Sequence, residues 1–220
     1  MRGLHWLFVA ILATGTAQAM AETPLYETGP AQDAAFVRIL NATGQKVVVA
    51  SASGNLSLDA EGSARASRFY AVAGGATLRA SVQRGAATLP VEVKAGPGEF
   101  VTLALLPAGA ERMQTRVIRE RDTDFSAVRA SLALFNLDPE CAAAQLRGGK
   151  ADQEIVAGVT PAGMARRMVN PVKLAVRALC DGKAAAGTLD LPPLAGGDRY
   201  SVFVVRSRRG REAFFVQDSH

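Results

Sequence analysis

Few residues in this 220-residue chain combine the types and spacings that do acid–base or nucleophilic chemistry. Histidine occurs only at the ends, as His5 in an N-terminal leader and His220 as the last residue. Beyond the leader there is no internal imidazole, the side chain that most often moves protons near neutral pH. Asp218-Ser219-His220 contains the residue types of a hydrolytic triad. Three consecutive residues on a tail, however, cannot adopt the nested hydrogen bonds such a site needs. There is no G-x-S-x-G elbow, and Ser53-Gly54-Asn55 lacks the aspartate and downstream histidine of small esterase-like acyltransferases. Asp122-Thr123-Asp124 spaces two carboxylates as sugar-nucleotide enzymes do, but within a charged stretch where solvation accounts for them. Gly74-Gly75, Gly148-Gly149 and Gly196-Gly197 read as turns, none of them opening a helix that could cradle phosphate. No catalytic residue and no cofactor is therefore expected, and a binding or assembly role is favoured by exclusion.

The two cysteines, Cys141 and Cys180, fit a structural disulfide better than a metal site. Neither sits in a C-x-x-C motif and no histidine is near to complete a ligand set, so no metal is expected. Their bridge would close a loop of about 39 residues, worth at most roughly 4 kcal/mol by chain entropy. A disulfide suits an exported protein, and the N-terminus reads as an export signal. Arg2 supplies positive charge, Leu4 to Leu12 a short apolar run, and Ala17-Gln18-Ala19 or Ala19-Met20-Ala21 a small-residue cleavage site. The apolar run is too short to span a bilayer. Residues 1–21 are thus expected to be removed and the protein to reside in the periplasm.

The elements that would carry any site read as strands. Leu78, Ala80 and Val82 alternate with Arg79, Ser81 and Gln83 up to Gly85, and Val91 and Val93 alternate with Glu92 and Lys94 up to Gly96-Pro97-Gly98. Phe100 to Leu105 is a nearly continuous apolar strand, and Leu174, Val176, Ala178 and Cys180 share one face of another. No stretch shows helical apolar spacing. The second half repeats the first: Ala35 to Asn41 resembles Ala130 to Asn136 at an offset of 95, and Ala95 to Phe100 resembles Ala195 to Tyr200 at an offset of 100. The expected fold is all-β, two tandem antiparallel sandwiches of jelly-roll or immunoglobulin-like type. They would occupy residues 22–106 and 125–220, joined by a charged linker, 107–124, with one short strand at Gln114 to Ile118.

Charge is unevenly shared. Residues 22–106 carry seven basic and seven acidic groups, whereas 107–220 carry 17 basic and 13 acidic. The excess gathers at Arg166-Arg167, at Lys173 and Arg177, and at Arg206, Arg208, Arg209 and Arg211. The last four flank Gly210 between two apolar strands and should crown a hairpin. Such a tip can meet an anionic partner or simply guard a sheet edge. Nucleic acid is excluded as a partner by compartment, and with no tryptophan beyond the leader there is little to stack on bases or sugars.

Leu25-Tyr26-x-x-Gly29-Pro30, followed by Ala35-Phe36-Val37-Arg38 and Asn41, resembles the start of the mature proteins of the alginate O-acetylation protein F (AlgF) family. Asn170-Pro171-Val172-Lys173-Leu174, followed by Asp181-Gly182-Lys183, resembles that family's second-domain signature. The resemblance implies a periplasmic, non-catalytic adaptor of an exopolysaccharide O-acetylation system. Its partners would be periplasmic esterase-like acetyltransferase subunits and a membrane-bound O-acyltransferase, with an anionic polysaccharide as a further ligand. The residues expected to meet partner or polymer are Asn170, Lys173, Arg177, Arg206, Arg208, Arg209 and Arg211. Two other readings stay open: an acetyl-carrying enzyme with a serine or Lys173 as nucleophile, and a stand-alone polysaccharide-binding module.

Overall fold

The structure, a computed structural model, describes residues 34–121, 126–207 and 210–218. The leader, Leu25 to Pro30, Asp122 to Asp124, Arg208-Arg209 and Ser219-His220 lie outside the described residues.

The first unit contributes β1 (Ala34–Asn41), β2 (Val47–Ser51), β3 (Gly54–Leu58), β4 (Tyr70–Ala73), β5 (Thr77–Arg84), β6 (Ala87–Lys94), β7 (Glu99–Ala108) and β8 (Arg112–Arg121). The second contributes β9 (Ala130–Asn136), β10 (Ala144–Gly148), β11 (Gln153–Val159), β12 (Gly163–Val169) and β13 (Ala175–Cys180). It continues with β14 (Lys183–Ala184), β15 (Leu189–Asp190), β16 (Arg199–Ser207) and β17 (Gly210–Asp218). Each unit is a two-sheet sandwich. In the first, β4-β1-β7-β8 faces β3-β2-β5-β6; in the second, β12-β9-β16-β17 faces β11-β10-β13-β14, with β15 also on β13. Strand for strand the two orders are the same, so the duplication expected from the short repeats extends to the whole topology.

The alternations that suggested strands are those that fill the sandwiches. Val47, Val49, Val82, Val91 and Leu103 pack together in the first unit, while Leu132, Leu146, Val176, Ala178 and Val202 do so in the second. Cys141 and Cys180 are disulfide-bonded with Cα atoms 5.4 Å apart, tying the loop after β9 to the end of β13. Gly148 stands where that sheet is tight: a Cβ there would lie 2.8 Å from the Ala175 carbonyl oxygen.

Two expectations are corrected. The sheets are not wholly antiparallel, because β1 runs parallel to β7 and β9 parallel to β16. The crossovers through the opposite sheet make this possible, since parallel neighbours need a long connection. The charged stretch 107–124 is not a linker. Its residues 112–121 form β8, which pairs with β7 along ten positions and completes the first unit as β17 completes the second. Alternation was masked by charge: Met113 and Val117 face the sandwich interior, Ile118 faces the second unit, and the arginines lie between. The first unit therefore runs to Arg121, and the short strand expected at Gln114 to Ile118 is ten residues long.

The units also share a core. Leu40, Ala42, Ala104 and Ile118 of the first pack against Ala133, Phe135, Leu137, Phe203, Val205 and Val216 of the second. All seven residues of β9 are buried, Leu132 and Leu134 towards one sheet and Ala133 and Phe135 towards the other. The described residues thus form four stacked sheets, with the duplicated sandwiches joined face to face at the middle.

Candidate functional site

The asparagines that end β1 and β9 are internal ties. Asn41 Nδ2 donates to the carbonyls of Gln45 (2.7 Å) and Asp59 (2.8 Å), and its Oδ1 accepts from Thr43 N and Oγ1. Asn136 Nδ2 donates to the carbonyls of Cys141 and Val159, both at 2.8 Å, and its Oδ1 accepts from Asp138 N. Each fastens the loop after its strand to the hairpin beyond it.

Buried charge lies between the units. The Arg38 guanidinium, wholly buried, donates to Asp218 Oδ1 (2.5 Å), Thr102 Oγ1 (2.9 Å) and Ser201 Oγ (3.0 Å), and stacks against Phe69, Phe135 and Phe203. Burial pushes its pKa below the ordinary arginine value, and Asp218 opposes that shift. Ser201 in turn donates to Asp218 Oδ2 at 2.8 Å. Ser201 and Asp218 thus place a hydroxyl on a carboxylate, but both are sealed from solvent. Arg166 joins Glu120 and Asp218, and Arg199 donates to Glu120 at 3.0 Å. At the other end of the interface Arg65 donates to Glu212 at 3.0 Å and lies over the Phe214 ring. Arg166, counted above as part of the surface charge, is in fact half-buried at this joint.

The expected site residues divide by place. Arg206 and Arg211 face each other across β16 and β17, so the hairpin is where the sequence put it. Both are ion-paired within the chain: Arg211 Nε lies 2.5 Å from Asp138 Oδ2, and Arg206 meets Asp138 and Glu140. Arg208 and Arg209 lie outside the described residues. Arg177 is 2.5 Å from Asp152, whose carboxyl it, with Arg147, holds below the usual range. Asn170 and Lys173 flank the exposed Val172 in the turn between β12 and β13, far along the fold from the hairpin. Lys173 has no ion-pair or hydrogen-bond partner among the described residues. Cys141, Cys180 and Asp181 offer ligand atoms close enough to share an ion. The two sulfurs are bonded to each other, which leaves no thiolate for that purpose.

A cleft of about 340 Å³ lies at the junction of the two units. Its first-unit wall is Leu106 and Pro107 at the end of β7 and Gln114 and Arg116 on β8; its second-unit wall is Leu137, Pro139, Pro161, Ala162 and the end of β16. Arg116 is exposed there and has no ion-pair partner among the described residues. Sequence reading singled out Arg206 on this rim but missed the cleft. The available signal was the unbroken burial-type pattern of Phe100 to Leu105, since a strand apolar on both faces needs a second covering layer.

The fold and its surface define a class: an all-β protein of two like sandwiches fused through a shared core, with a cation-rimmed cleft at their junction. Within that class the chain belongs to the AlgF family, whose family model, described as alginate O-acetyl transferase AlgF, matches residues 8–200. It is 29% identical over 189 residues to the alginate biosynthesis protein AlgF of Azotobacter vinelandii, covering 86% of this chain and 80% of that one. Among solved structures it is similar to the Bacillus anthracis TIE protein, at 10% identity and a TM-score of 0.28 over 78% of this chain and 34% of that one. At so low a TM-score that likeness bears on neither fold nor function.

Proposed function

We propose that this protein serves the O-acetylation of alginate or a like exopolysaccharide as a non-catalytic periplasmic adaptor. The observation that carries the reading is the family match along residues 8–200. The arrangement of polar groups supports it. The cysteines are bonded to each other, Ser201 is sealed, and Lys173 has no carboxylate or other base beside it among the described residues. A nucleophile without an adjacent base is weak at neutral pH. Residues 1–21 serve as the export signal in this reading. The protein holds together periplasmic esterase-like acetyltransferase subunits near a membrane-bound O-acyltransferase, and the exposed Asn170-Lys173 turn and the cleft are the surfaces it offers them.

The test is complementation. A strain deleted for the gene should make polymer with less O-acetyl, the intact chain should restore it, and the purified protein should not accelerate hydrolysis of p-nitrophenyl acetate. Undiminished acetylation in the deletion strain would end the proposal.

The family's description as an alginate O-acetyl transferase favours a second reading in which the chain carries acetyl itself. That reading requires an acetyl adduct on one residue, Lys173 for instance, seen by intact mass after incubation with an acetyl donor and abolished by Lys173→Arg.

A further inference from the structure

The cleft between the units has a composition that selects its occupant. Much of its lining is aliphatic: Leu106, Leu137 and Ala162, with Pro107, Pro139 and Pro161. Its polar neutral side chains are few and each is in part engaged, since Gln114 Nε2 donates to the Pro107 carbonyl at 3.1 Å and Ser207 Oγ donates to Glu212. A sugar carries a hydroxyl on nearly every carbon, and each would lose water here with little to replace it. An aliphatic side chain would lose nothing. Beside this apolar lining, Arg116 is exposed and without an ion-pair partner among the described residues, whereas Arg206 across the junction is held by Asp138 and Glu140. Among the described lining residues one cation, Arg116, therefore remains to receive a carboxylate.

A second observation falls on the same cleft. Ala162 has φ of 60°, a left-handed conformation in which glycine is the unstrained residue, and its own N–H is bound to the Asn136 carbonyl at 2.8 Å. Alanine has no side-chain hydrogen bond to offset the strain, so this position carries a methyl against backbone preference. Ala162 is among the residues that line the cleft. Strained positions held in this way cluster at binding sites.

We propose that the cleft receives an extended acidic segment of a partner protein, an aliphatic side chain seating on Leu106, Leu137 and Ala162 and an adjacent carboxylate pairing with Arg116. The proposal rests on the adaptor reading and names its contact.

The probe is a dye-labelled dodecapeptide with Leu-Pro-Leu-Asp-Glu at its centre and Gly/Ser flanks, titrated by anisotropy against the full chain at low salt. Saturable binding in the range below about 1 mM is expected. It should weaken about tenfold with Arg116→Glu and with the blocking substitution Gln114→Trp, both at exposed positions that leave the melting curve unchanged. A peptide with Lys-Lys in place of Asp-Glu should recover binding to the Arg116→Glu protein. Ala162→Gly should move two readouts in opposite senses, raising the melting temperature while weakening the peptide about threefold. No saturation, or equal affinity in the wild type and both surface variants, overturns the proposal. So does a decamannuronate probe whose binding is lost in those variants while the peptide shows none, which makes the cleft a sugar site. If the intact chain fails to restore polymer acetyl groups, the adaptor reading falls instead, whatever the peptide does.

Discussion

Glu99 is a single side chain whose surroundings tie it to stability in acid. Its carboxylate accepts the Gly96 N–H at 2.9 Å and pairs with Arg119 at 2.7 Å. The Gly96 N–H first, and then Arg119 against the opposing effect of burial, hold its pKa below the ordinary carboxylate value. A depressed carboxylate contributes stability that is complete above its unfolded pKa of about 4.3 and is lost as pH falls through the lower folded value. Glu99→Gln removes that term, so the variant should be less stable than wild type at pH 7. Its melting temperature should also fall less steeply between pH 5 and pH 3. Parallel melting-temperature profiles for the two proteins across that range would show that Glu99 contributes nothing to the acid transition.

At the scale of elements, the repeat is held by chemistry and not by hydrophobic pattern alone. Asn41 and Asn136 end the first strand of each unit, and each amide both donates and accepts in a way no other residue of that size can reproduce. Asn136→Ala would leave the buried carbonyls of Cys141 and Val159 without their donor. The expected loss is about 2–3 kcal/mol, read as a lower urea midpoint at unchanged slope. Asparagine ending a strand was visible in both halves of the sequence; its role as a tie was not, because its partners lie up to 23 residues away. β8 failed to read as a full strand for a related reason. Its ten residues face two different apolar layers, so neither face is uniformly apolar, and its arginines made it look solvated.

The whole molecule is one packed stack because the units meet through both an apolar core and buried charge. Arg38 and Asp218, 180 residues apart, join the two units across that contact. Removing one member of a buried, hydrogen-bonded pair leaves an uncompensated charge and costs about 3–5 kcal/mol. Asp218→Ala should accordingly separate unfolding into two transitions by calorimetry, where the wild type shows one. The double variant Arg38→Met/Asp218→Ala should recover part of the loss. A single, unshifted transition in Asp218→Ala would show that the apolar contact alone couples the units.

The sequence by itself determined the all-β class, the duplication, the hairpin carrying Arg206 and Arg211 and the pairing of the two cysteines. Each of these is written in local periodicity, turn residues or a pair of residues with no alternative partner. Only the tertiary structure decided that the sandwiches fuse face to face, that Arg38, Arg166 and Arg199 belong to the joint, and that a cleft opens beside Arg116. An arginine in a sequence has the same letter whether water or a carboxylate from the other half of the chain surrounds it. Which of the two it meets depends on how whole sheets stack, and that is set by surfaces assembled from residues far apart along the chain.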